Sequence, residues 1–121
     1  MESDRFEHIV LETIQSFPED IQKKIDNLEI IVQNWSSRSF IPGFNPRKPV
    51  AILGLYHGVP LRRRGSWYGN VLPDRILIFK DVIESRCRND EEVEALARRV
   101  VLHEFGHYFG IDDKTLRKLG Y

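Results

Sequence analysis

The chain has 121 residues, enough for one hydrophobic core and a single domain over 1–121, but not for two. Its 18 Lys and Arg balance 18 Asp and Glu, so no overall field draws it toward nucleic acid or an anionic membrane. A lone cysteine, Cys87, excludes an internal disulfide, and the acidic opening MESDRFEHIV lacks the apolar stretch of a secretory signal. No run approaches the length of a membrane span, and the expectation is a cytoplasmic protein.

Phe6, Ile9, Val10, Thr13, Ile14 and Phe17 recur at three- and four-residue spacing, which predicts an amphipathic helix capped by Ser3 or Asp4 and stopped by Pro18. Residues 19–26 read as a short helical turn carrying Ile21 and Ile25. Leu28–Val32 (LEIIV) is short and β-branched, hence a strand. Ser36–Pro49 holds three prolines and a glycine and reads as a connecting loop. Val50–Tyr56 (VAILGLY) predicts a second strand, apolar enough to be buried on both faces. From His57 to Pro73 the glycines and prolines leave strand structure open, and Arg75–Lys80 (RILIFK) predicts a third strand. Asp81 reads as the cap of a short helix ending near Arg86. Asn89 or Asp90 caps a long last helix, with Glu91, Glu92 and Glu94 at its positive end. Helices, then strands, then helices imply an α+β domain with one small sheet.

The last helix carries the chemistry. Residues 103–113, HEFGHYFGIDD, follow the pattern H-E-x-x-H-x-x-G-x-x-D. On a helix His103 and His107 share one face, so both imidazoles can point at one ion, and imidazole nitrogens suit Zn2+. Glu104, beside the first histidine, stands where it can take a proton from a metal-activated water. Gly110 can end the helix in a left-handed conformation, letting Asp113 return as a third ligand. Three protein ligands and one open position suit a catalytic rather than a structural zinc. Val93, Leu96, Ala97, Val100 and Val101 would face the sheet, with Glu94, Arg98 and Arg99 on the solvated side.

The fragment VVLHEFGHYFGIDD resembles the active-site helix of the zincin metallopeptidases, specifically the Asp-zincins. With GLYHGVPL (54–61) and PDRILIF (73–79), the chain is similar to a family of very small, single-domain zincin-like proteins. The resemblance implies a minimal zincin-like α+β domain, its small mixed β-sheet packed against an active-site helix. It implies Zn2+ held by His103, His107 and Asp113, with Glu104 as general base in the hydrolysis of a peptide or protein substrate. The larger metzincins carry a methionine turn beneath the metal, whereas the single methionine here is Met1. Tyr121 is expected either to pack near the histidines in that place or to stand exposed as a frayed terminus. The alternative is a zincin-shaped metal-binding or protein-interaction module without turnover.

Other residues have plainer expectations. Asp112 reads as a helix cap or an acceptor for a histidine N–H, and His8 and His57 as polar surface. Arg62, Arg63 and Arg64 form a basic run that reads as a solvated loop, with an acidic substrate or phosphate as the other possibility. Trp67 and Tyr68 could line a cleft, make a homodimer contact or cover the small core.

Overall fold

Asp74–Phe79 (β3) is the strand around which the other elements assemble. Leu28–Gln33 (β1) pairs with it in parallel and Gly54–His57 (β2) antiparallel on the other side, giving a mixed sheet of order β1-β3-β2. The computed structural model describes residues 1–35, 51–68 and 72–118. The expected loop Ser36–Pro49, the start of the expected strand at Val50, and Tyr121 lie outside them.

Alternation along β3 explains its unbroken apolar sequence. Ile76 and Ile78 join a core with Phe6, Ile9, Val10, Ala97, Val100 and Phe105, against which Leu28, Ile30, Val32 and Tyr56 pack. Leu77 and Phe79 turn to the opposite face, where Val82, Leu53, Leu55 and Trp35 gather. Trp35 meets Phe79 edge to face, ring centroids 5.1 Å apart. Both faces of the central strand are therefore dry.

The helices are Ser3–Gln15 (α1), Glu19–Gln22 (α2), Lys80–Ser85 (α3), Asp90–Tyr108 (α4) and Asp113–Lys118 (α5). Helix α4 begins as expected: the Asn89 side chain accepts from the Glu92 N–H at 2.9 Å. It is clamped to α1 by Arg98, which reaches both Glu12 (3.0 Å) and Glu94 (2.9 Å). Arg98 is thus an inter-helix brace and not only solvated surface.

Several boundaries differ from expectation. The α1 cap position is Glu2, with no side-chain cap bond, in place of Ser3 or Asp4. Helix α3 starts at Lys80 directly from β3, because Asp81 spends its oxygen on the Val82 and Trp35 N–H groups (both 2.9 Å). Strand β2 begins only at Gly54, since its paired register to β3 runs from Gly54–Ile78 to His57–Arg75. The stretch after β2 contains two short 3-10 turns, Leu61–Arg63 and Ser66–Tyr68. No helix among the described residues is long and apolar enough to cross a membrane.

Candidate metal centre

The end of α4 sets the geometry. Phe109 is the last cap residue, and Gly110 follows with φ +91°, a conformation that residues with a Cβ avoid. The Gly110 N–H donates to the His107 carbonyl (2.9 Å) and the Ile111 N–H to the Gly106 carbonyl (2.8 Å), so both helix-end carbonyls are satisfied. The reversal delivers Asp112, whose Oδ1 accepts from the Thr115 N–H at 2.8 Å and starts α5. That bond, helped by the Arg62 charge, holds the Asp112 carboxyl below its ordinary range. Asp112 is therefore the cap, and Asp113 faces back toward α4.

Three heteroatoms converge there. His103 Nε2 and His107 Nε2 are 3.1 Å apart, and Asp113 Oδ1 lies 3.4 Å from the first and 3.0 Å from the second. His103, His107 and Asp113 form the one cluster of potential metal ligands found among the described residues. A tetrahedral ion with bonds of about 2.0–2.1 Å needs ligand edges of about 3.3–3.4 Å. The observed triangle meets that requirement with shifts of about 0.3 Å, so the donor set fits a small divalent cation.

Glu104 occupies the next position on the same helix, only 7 % exposed. Burial pushes its carboxyl above the ordinary range; the two histidines and the nearby Tyr56 backbone pull the other way, and burial wins. Strand β2 is thus a direct support for this carboxylate. Packing between α4 and β2 is close enough that a Cβ at Gly54 would lie 2.8 Å from Val100 Cγ1 and 3.2 Å from Glu104 Cγ. The helix's approach, rather than access for another backbone, accounts for glycine at this position.

A buried polar cluster backs the site. Asp74, 2 % exposed, accepts from Arg64 Nη2 (2.9 Å), the Tyr56 hydroxyl (2.5 Å) and the Val59 N–H (3.2 Å). Arg64 also donates to the Val59 and Asp26 carbonyls and lies over the Tyr68 and Tyr108 rings, 4.1 and 5.3 Å from their centroids. Tyr108 in turn bonds the Asp26 carbonyl at 2.6 Å. Sequence reading placed Arg64 in a solvated run; its side chain is 7 % exposed. Nothing in local spacing links Arg64 to Asp74, because their pairing depends on how the loop folds over the sheet.

A cleft of about 880 Å3 opens over the site, lined by His103, Glu104, His107 and Asp113 on one side and by Arg62 and Arg63 on the other. Arg62 donates to the Gly110 carbonyl at 3.2 Å, tying the 3-10 turn to the helix end. His57 is exposed at the end of β2, and His8 is exposed, with Nε2 2.6 Å from Glu12. Neither joins the cleft. Trp67 is 62 % exposed, so it covers no core.

A family model described as zincin-like metallopeptidase matches residues 25–121. A search of curated proteins found no match. The match spans β1 through α5 and therefore every residue of the cluster.

Proposed function

This chain belongs to the zincin-like metallopeptidase family, and on that premise we propose that it is a zinc-dependent peptidase working from His103, Glu104, His107 and Asp113. The observation that carries the reading is the position of Glu104. It is a buried carboxylate of raised basicity, one residue from a converging two-imidazole, one-carboxylate set, and it lines the same cleft. A structural metal has no use for such a neighbour. Zinc held by His103, His107 and Asp113 would supply Lewis acidity at one open position, acidifying water and polarising a substrate carbonyl there.

Glu104 then takes the proton of the attacking water and returns it to the departing amine. The Tyr56 backbone favours the charged form of this carboxylate. The substrate's place is the free edge of β2. Leu53 accepts from Phe79 at 2.9 Å, so alternation turns the backbone groups of Leu55 and His57 to β3 and those of Gly54 and Tyr56 outward. The Gly54 N–H and the Gly54 and Tyr56 carbonyls then remain to pair with an extended peptide. The lone thiol of Cys87 fits a reducing, cytoplasmic setting for this activity.

Glu104→Gln tests the reading. Zinc content should be unchanged while hydrolysis of a mixed peptide library falls by about 10²–10⁴-fold. Stoichiometric zinc with no wild-type turnover would make the protein a metal-binding module instead, and no affinity for zinc would end both readings.

A further inference from the structure

The depression over the metal set does not stop at His103. A second one, of about 410 Å3, adjoins it, and the two share Gly54, His103 and Glu104. A groove therefore passes the cluster along β2, with a limb on either side. Each limb carries a pair of arginines: Arg62 and Arg63 in the first, Arg86 and Arg99 in the second.

The state of these four side chains is what gives them meaning. Arg5, Arg64, Arg75 and Arg98 each pair with a carboxylate of the protein. Among the described residues, none of the four groove arginines does; Arg88 and Arg117 are also without a carboxylate partner but line neither limb, so it is placement together with free charge that sets the four apart. Arg62 and Arg86 donate to main-chain carbonyls, of Gly110 and Ala51, which position them without neutralising them. Three carboxylates face the groove: Glu104, Asp112 and Asp113. With a divalent ion bound, Glu104 and Asp113 balance the metal and Asp112 offsets one arginine. Three guanidinium charges then remain, in a protein whose formal net charge is +0. Arg64, buried on Asp74, anchors the turn that presents Arg62 and Arg63 to the cleft.

We propose that the groove selects acidic peptides, seating carboxylates on both sides of the scissile bond, one at Arg62–Arg63 and one at Arg86–Arg99. The assignment rests on the peptidase reading and adds the substrate class to it. Planar guanidinium groups suit carboxylates, which can come from Asp or Glu side chains or from a free chain end.

The test uses zinc-loaded Glu104→Gln protein, which binds without cutting, and fluorescence anisotropy with peptides of one length. One peptide carries Asp and Glu on both sides of its centre with an amidated end. A second replaces them with Asn and Gln, and a third is the second with a free C-terminal carboxylate. The first should bind about tenfold more tightly than the second at low salt, with the gap closing as ionic strength rises. The double variant Arg63→Ala, Arg99→Ala removes one guanidinium from each limb and should shrink the gap severalfold at unchanged zinc content, since among the described residues neither side chain is bonded to the fold. A gain by the third peptide that Arg63→Ala or Arg99→Ala removes assigns that limb to a chain end. Equal binding of acidic and neutral peptides, or a preference undiminished in the double variant, overturns the proposal and leaves the peptidase reading standing. Failure to bind any of the three also overturns the proposal, while wild-type hydrolysis of the mixed library decides the peptidase reading separately.

Discussion

Asp112 and Asp113 are adjacent, yet Asp112 gives its oxygen to the Thr115 N–H while Asp113 Oδ1 sits 3.0 Å from His107 Nε2. Their substitutions should separate cleanly. Asp113→Asn is expected to lower zinc affinity by at least about a hundredfold, more than the loss of an outer-shell partner. Asp112→Ala should leave stoichiometric zinc and lower thermal stability through the lost cap; equilibrium dialysis and thermal melts read the two, and the reverse ranking would transfer the ligand role to Asp112. Tyr56 makes a second residue-scale case. Burial first, and the Asp74 carboxylate second, push its phenol far above the ordinary value near 10. Above pH about 10 the unfolded chain therefore ionises Tyr56 while the folded chain keeps it protonated. Stability from this group is complete below that pH and drains away as pH rises. Tyr56→Phe should cost about 1 kcal/mol at neutral pH yet flatten the alkaline decline, as urea titrations between neutrality and high pH would report. An unchanged alkaline slope would mean that Tyr56 is not the group responsible.

The metal set depends on how closely α5 docks on α4, and Gly106 sets that distance. A Cβ there would lie 2.4 Å from Leu116 Cδ2 and 3.2 Å from its Cγ, and Leu116 is 2 % exposed, so the whole side chain has to shift within the packed α4–α5 contact. Alanine gains up to about 1 kcal/mol of helix propensity, while overpacking costs about 1–3 kcal/mol, so the clash prevails. Gly106→Ala should push α5 outward, carry Asp113 with it and weaken zinc binding about tenfold or more, with no ligand altered; undiminished affinity in calorimetry would disprove the coupling. These elements differed in how far the sequence revealed them. Helix α4 was legible from Asn89 to His107 because cap, apolar stripe and ligand spacing all follow one helical period. Strand β3 was legible as an apolar run. The limits of β2 and α3 were not, since they follow from register against β3 and from Asp81 bonding across to Trp35, which are contacts between distant segments. For the same reason HEFGHYFGIDD disclosed His103, Glu104, His107 and Asp113, the residues of the proposed site, whereas the Arg64–Asp74 pair and the arginines of the second limb emerged only once β2 lay beside α4.

The apolar clusters on the two faces of β3 are small, and α5, which carries Asp113, is held to α4 by buried Leu116 against Gly106. An ion bound by the folded chain and not by the unfolded one must stabilise the whole molecule by mass action. At a free zinc concentration of about one hundred times Kd the gain is about 2.7 kcal/mol, which raises the melting temperature by about 10 °C in a protein of this length. Chelation should reverse the shift, and His103→Ala should abolish it while leaving the chelated protein's own melting temperature within a few degrees. The last condition matters because His103 is only half-buried at the wall of the cleft, so its loss enlarges that cleft rather than opening an enclosed cavity. A zinc-dependent shift that survived in His103→Ala would place the stabilising ion elsewhere on the chain. If instead the ion bound with no shift, the unfolded chain would have to hold it as tightly as the folded one, and the convergence of α4 and α5 would contribute nothing to the site.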